Sequence, residues 1–303
     1  MTSTTARTTL RSRSTAQTDA PRRRRSSFLP TGAWWVVNVC LAVLFLYPLY
    51  ILIIQAIKSP AEAAAVPPTA FPHQFSLHNF VELGTSQGGL SLLSSLGNSL
   101  FVSVLTTLVT LVVSTFAGYA FAKLPFRGSR FLFFVTLVTF MVPFQAIITP
   151  LYLTLKDLGL QNNLVGLSLV MATFNLPFGI FVMRNSFAAI PPSLEEAALI
   201  DGATAFGAMR RVMLPIAVPG LVSTALLTFF AAWNEFFATL ILITDQSKYT
   251  LPVSLSILSA GQNNSVNWGL LEAGVLITVI PCVVIYLILQ KYYVAGLLSG
   301  AVK

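Results

Sequence analysis

Apolar residues along this chain come in runs of about twenty residues or more, separated by short polar segments carrying Pro, Gly and basic side chains. Six such runs stand out, at 34–57, 96–122, 131–155, 164–183, 216–244 and 270–290. At a helical rise of about 1.5 Å per residue, each can cross a hydrocarbon core about 30 Å thick. The pattern predicts an all-α membrane protein with six transmembrane helices. Three runs carry polar or proline interruptions: Met141-Val142-Pro143-Phe144-Gln145, Asn175 with Pro177, and Trp233-Asn234-Glu235-Phe236. At membrane depth these are tolerable only where neighbouring helices or a water-filled path satisfy the freed backbone.

Composition agrees with the pattern. Hydrophobic residues make up 55% of the chain and charged residues 9%, with a mean hydropathy of +0.78, whereas about a quarter of a soluble domain is charged. The net charge of +8 is not a nucleic-acid footprint, because the basic residues lie in the N-terminal tail and at the ends of apolar runs without interleaved aromatics. Residues 1–33, rich in Ser, Thr and Arg with the block Arg22 to Arg25, read as a disordered cytoplasmic tail ahead of a 34–303 membrane domain. The run at 34–57 is too long for a secretory signal core of about 7 to 15 residues, so it is expected to be an uncleaved span.

Orientation follows from the cations. With the amino terminus inside, Arg7, Arg11, Arg13, Arg22 to Arg25, Lys123, Arg127, Arg130, Arg184, Arg210, Arg211, Lys291 and Lys303 are all cytoplasmic. Only Lys58, Lys156 and Lys248 fall outside. That bias puts both termini and the 191–219 segment in the cytoplasm.

The 191–219 segment is the most structured polar stretch. Ser193 and Glu196 have capping-box spacing, which predicts a helix from about Leu194. Gly202 offers a stop, Thr204 a restart and Pro215 a further break. Ala197 and Ala198, between Glu195/Glu196 and Asp201, would let another protein approach this short helix closely.

Catalytic signatures are absent. The sequence holds no Walker-type phosphate loop, no G-x-S-x-G elbow and no H-E-x-x-H pair. Cys40 and Cys282 lie in apolar runs and are expected to be buried small side chains, while His73 and His78 lack ligand-spaced partners and are expected as solvent-facing loop histidines. No cofactor, metal or nucleic acid is expected on this chain.

The order Glu196-Ala197-Ala198, three residues, Gly202, nine residues, Val212-Met213-Leu214-Pro215 resembles the EAA motif of ABC importer permeases, with Val212 where the usual form has Ile. The likeness extends through Asn98-Ser99, Lys123 to Gly128, Met141-Val142-Pro143, Leu176 to Gly179, Trp233-Asn234-Glu235, Tyr249 to Pro252 and Gly300 to Lys303. Together these resemble the shorter permease of maltose-type, binding-protein-dependent carbohydrate importers. The resemblance implies the type I importer permease fold, a bacterial cytoplasmic-membrane location, a second permease as heterodimer partner, two cytoplasmic ATPase subunits carrying ATP and Mg, and an extracytoplasmic sugar-binding protein. It also implies an ATPase-coupling loop, 191–215, using Glu195, Glu196, Ala197, Ala198, Asp201, Gly202, Ala203, Leu214 and Pro215.

A substrate path is the second candidate site. Glu235 is read as the one carboxylate well inside an expected span and, being costly in lipid, is expected to face the bundle. With Asn234 it either lines the substrate route or makes a structural contact with a neighbouring helix. Met141, Gln145 and Asn175 join it as path candidates or as ordinary bundle filler. Two rival readings exist: an ion-gradient-driven secondary transporter, which calls for paired intramembrane charges and inverted repeats, and a non-transporting membrane scaffold for an ATPase.

Overall fold

A computed structural model describes residues 31–85, 91–261 and 266–301, with side chains at 32–85, 91–261 and 266–290. The expected tail at 1–33 lies outside the described residues except at its end, where Thr31 already starts the first helix. Contacts divide the chain into two units, up to Tyr47 and from Pro48 onward. The described part of the first is the beginning of α1 (Thr31–Ala56), apolar all round, with Trp35 and Phe45 exposed.

In the second unit the short helices α2 (Pro60–Ala63) and α3 (His78–Glu82) precede the long α4 (Leu92–Lys123). Then come α5 (Ser129–Thr139), α6 (Phe144–Asp157) and α7 (Leu164–Ala188). The polar segment holds α8 (Pro192–Ile200), α9 (Ala205–Ala208), a π turn at Met209–Met213 and α10 (Leu214–Ile216). The chain ends with α11 (Val218–Trp233), α12 (Phe237–Leu242), a 3₁₀ turn at Gln246–Lys248, α13 (Leu251–Ser259) and α14 (Trp268–Ala301). Among the described residues four helices are long and apolar enough to cross a membrane, and two bent pairs bring the number to as many as six. The all-α, multi-pass reading is borne out.

On α4 the packing is inverted relative to a soluble protein. The buried face of α4 carries Ser95, Ser99, Ser103, Thr106, Thr110 and Ser114, then Gly118, while Phe101, Leu108 and Val112 are exposed. Small hydroxyl residues three or four apart let helices approach closely and satisfy their own backbone, which is how spans associate where lipid removes the hydrophobic drive between them. Thr107 Oγ1 donates to Ser103 O at 2.7 Å, and Thr106 Oγ1 donates to Ser168 O on α7 at 3.2 Å. At Gly118 a Cβ would stand 2.6 Å from Met183 Cβ, so only glycine permits this α4–α7 contact. Around α11, Phe229 and Trp233 stack at 5.6 Å, and Trp233 Nε1 donates to Thr278 O of α14 at 3.3 Å.

Two expected spans are not straight. The run at 131–155 is α5 and α6, bent by 98° at the Pro143 elbow, because Pro143 lacks the amide that would continue the ladder. The run at 216–244 stops at Trp233, unwinds through Asn234–Phe236 and restarts as α12. Pro215 does not break the chain: the π turn ahead of it closes with Leu214 N on Met209 O. The 75° bend falls at Ala217, before Pro219 in the first turn of α11. Contrary to the expected burial, Cys40 is exposed, on the uncovered side of an apolar helix, and Cys282 is half-buried at the edge of the core packed on α14.

Outside the spans, the 59–85 segment is organised on Glu62. Its Oε1 accepts from Thr69 Oγ1, His73 N and His73 Nδ1, each at 2.9 Å, and those bonds hold its carboxyl down to about 2. Lys58 is fully buried with Nζ donating to Thr69 O at 2.6 Å. Buried Asn79 Nδ2 donates to Ala56 O and Lys58 O, closing the end of α1. His73 and His78 do face solvent, but each has a glutamate partner, at 2.9 Å in Glu62 and 3.8 Å in Glu82.

Candidate functional site

The polar segment at 191–219 forms a compact knob beyond the ends of α4 and α7. Its helix α8 starts earlier than the capping-box spacing predicts. Pro191 is extended at ψ 134°, Pro192 supplies the first helical residue, and no side chain caps the turn. A proline pair fixes both geometries, since proline suits the first helical position, so Ser193 falls inside the helix and the Ser193–Glu196 box does not form. At the other end the expected stop is present in full. Gly202 sits at φ +85°, its N–H donates to Leu199 O at 3.1 Å, and Ala203 N donates to Ala198 O at 3.0 Å. That is a Schellman closure, which needs a left-handed residue that glycine supplies without strain. Thr204 then caps α9, accepting from Gly207 N at 3.1 Å.

What holds the knob to the bundle was not legible in the motif. Tyr119 Oη, one turn from the end of α4, donates to Glu195 Oε1 at 2.5 Å and reaches Ala205 O at 3.4 Å. Lys123 Nζ donates to Ile190 O at 2.7 Å, closing the entrance to α8. Phe206 stacks on Phe116 at 6.3 Å, and Tyr119 meets Phe187 edge-on at 5.5 Å. Beneath them Met183, Phe187, Ile190, Met209, Met213 and Ala217 form one buried cluster. An aromatic followed four residues later by a lysine at the end of an apolar run is the interfacial signature that could have pointed to this anchor.

The expected coupling residues divide by side. Ala198 is buried, Glu195 faces Tyr119, and Ala203 and Leu214 are half-buried. Glu196, Ala197, Asp201, Gly202 and Pro215 are exposed, together with Leu199 and Ile200, the latter 85% exposed. The result is an acidic, small-sided helix with an exposed apolar tip, anchored from beneath by Tyr119.

The substrate-path candidates approach one another through phenyl rings. Phe144, beside Gln145, packs edge-on against Phe174, beside Asn175, at 4.8 Å, and against Phe237, after the Asn234–Phe236 break, at 6.2 Å. Met141 and Gln145 are exposed at the elbow. Asn175 Nδ2 donates to Met171 O and Asn234 Nδ2 to Phe230 O, each at 2.8 Å. Glu235 lies in the break, not within a helix as expected, and its Oε1 accepts from Ala238 N at 2.6 Å. These polar contacts serve their own segments. A second acidic residue on a span, Glu272 of α14, escaped the sequence reading because it lies close to the end of its apolar run. Among the described residues no group of three or more His, Cys, Asp or Glu could hold a metal ion.

Comparison with known proteins places these features. Residues 110–298, which include the whole knob, match the family described as binding-protein-dependent transport system inner membrane component. The chain is 34% identical to the probable ABC transporter permease protein YurM of Bacillus subtilis, over 94% of this chain and 92% of that one. It is 39% identical to the trehalose transport system permease protein SugB of Mycobacterium tuberculosis, over 69% and 77% respectively. Among solved structures it superposes with TM-score 0.75 and 25% identity on a chain of a bacterial ABC transporter involved in the import of the acidic polysaccharide alginate, covering 88% of this chain and 99% of that one. The resemblance read from the sequence therefore holds at the level of family: this chain belongs to the binding-protein-dependent transport system inner membrane components, the permeases of ABC transporters.

Proposed function

We propose that this permease moves a sugar or oligosaccharide into the cytoplasm, driven by ATP hydrolysis on separate subunits that grip the knob at 191–215. The observation that carries the reading is the knob itself: α8 is fastened to α4 by Tyr119 and Lys123 while its acidic, apolar-tipped side is left exposed. In this reading α8 docks in a cleft of an ATPase, with Glu196 and Asp201 positioning it and the Gly202 turn setting the angle to α9. Closure of the paired ATPases on ATP shifts the docked helices, and α4 and α7, packed on the same cluster, carry the movement into the spans. Such a switch needs only different contacts in two states, not chemistry on this chain.

The saccharide assignment draws support from the relatives' names, trehalose for SugB and alginate for the solved transporter. The remaining partners follow from the same reading: a second permease, two ATPase subunits and an extracytoplasmic binding protein, with both termini and the knob in the cytoplasm. Met141, Gln145, Asn175, Asn234 and Glu235 are the proposed path residues, grouped by the Phe144, Phe174 and Phe237 contacts. An ion-gradient mechanism has less to stand on, since the Glu235 carboxylate is engaged by Ala238 N. The test is to reconstitute the chain with its partner subunits and binding protein and screen mono- and oligosaccharides. ATP turnover and uptake stimulated by one saccharide support the reading, and uptake that follows an ion gradient without ATP rejects it.

A further inference from the structure

Beside the knob, where α4 ends and α5 begins, lies an open cavity of about 630 Å³ that the coupling reading does not use. Its apolar wall is Phe121, Phe126, Phe131 and Phe133, and its polar wall includes Arg130 and Arg184. The Arg184 guanidinium sits over the Phe133 ring at 4.4 Å, with a long contact of 3.4 Å to Asn185 Oδ1. No acidic residue lines the cavity, and among the described residues neither arginine pairs with a carboxylate. Gly128, at φ +84°, opens α5 with no capping side chain, so first-turn amides add to the positive field.

Two unpaired guanidiniums above a phenyl-lined opening match a ligand that is anionic at one end and apolar at the other. We propose that this cavity holds the headgroup of an anionic phospholipid, its phosphate paired by Arg130 and Arg184 and its acyl chains lying along α5. The exposed Phe131, Leu132 and Phe134 give α5 a lipid-facing side next to the cavity mouth. Basic pockets between spans on the cytoplasmic side suit such headgroups, and the proposal rests on the cytoplasmic orientation proposed for this end of the molecule. A free phosphate would engage the arginines but leave the four rings without a role.

The test uses the full chain, delipidated in mild detergent and titrated with phosphatidylglycerol or phosphatidylcholine under native mass spectrometry. One phosphatidylglycerol adduct should form in preference to phosphatidylcholine. Arg130→Gln, at an exposed position that leaves the fold intact, should weaken it about fivefold, and Arg130→Gln/Arg184→Gln should remove it. Arg184→Lys, which keeps the charge, should retain most of it. Equal binding of the two lipids, unchanged binding by Arg130→Gln, or displacement by millimolar inorganic phosphate overturns the proposal. Loss of the adduct on assembly with the partner subunits overturns it too, by giving the cavity to a protein segment. Adducts are counted without ATP or sugar, so this result and the importer reading stand or fall separately.

Discussion

Tyr119 donates a 2.5 Å hydrogen bond to Glu195, joining the end of the long helix α4 to the short helix beyond it. A hydrogen bond to a carboxylate is worth more than a neutral one, about 1.5–3 kcal/mol, and this one spans two elements that must move together if force passes between them. Tyr119→Phe keeps the ring against Phe187 and removes only the hydroxyl. Uptake per ATP hydrolysed should fall about tenfold with membrane insertion unchanged, the effect of about 1.5 kcal/mol lost from the link. A variant that transports with wild-type stoichiometry removes this bond from the coupling path.

Gly202 carries the turn between α8 and α9 in the left-handed region. Gly202→Val puts a β-branched side chain there at a cost of about 1–2 kcal/mol or more. The same protein level with ATP turnover uncoupled from sugar uptake is the expected result. Glu196→Trp, on the exposed side of α8, should behave alike, and normal uptake by both variants would count heavily against docking at this helix.

Gly118 lies at a close approach of α4 and α7. A side chain there meets Met183 Cβ and Arg184 N within 3 Å, so Gly118→Val should cost about 1–3 kcal/mol through forced repacking. Thermal unfolding in detergent would show it as a lowered midpoint, and an unchanged midpoint would mean that the helices are not held at this distance.

Glu62 gives the 59–85 segment a pH dependence. Its carboxyl is lowered from 4.5 to about 2, first by the backbone bond from His73. A depressed carboxyl stabilises the fold above its unfolded value and loses that contribution as pH falls, here between about 4.5 and 2. Pepsin should therefore leave the 59–85 segment intact at pH 4 and cut it near pH 2, whereas Glu62→Ala should be cut at both. Equal resistance of the two proteins at pH 4 would show that this carboxylate does not organise the segment.

At Glu235 the two readings separate by substitution. If its carboxylate only caps α12, Glu235→Gln keeps an acceptor for Ala238 N and should transport normally, while Glu235→Ala orphans that amide at about 1–3 kcal/mol and should lower stability. A changed saccharide preference in Glu235→Gln would instead place the side chain on the substrate route.

The sequence made the spans legible because hydropathy over twenty residues is set by the lipid, whatever the helices touch. Angles were not legible: Pro143 announced an interruption, but the size of its bend, 98°, is not written in the local sequence. Local capping signals competed, and at α8 the Pro191-Pro192 pair prevailed over the Ser193–Glu196 spacing, while Gly202 and Thr204 acted as read. In the knob at 191–219 the motif residues were readable and their anchors were not, since Tyr119 and Lys123 lie more than sixty residues upstream of their partners. The hydroxyl stripe of α4 was present as a repeat of three and four, hidden inside a run that averages as apolar.

The most direct test is crosslinking from a photoreactive residue at Ala197, exposed on α8, in the assembled complex within native membranes. The account predicts adducts with a cytoplasmic nucleotide-binding subunit. Adducts only with an exterior protein, or none with any ATPase, would contradict it.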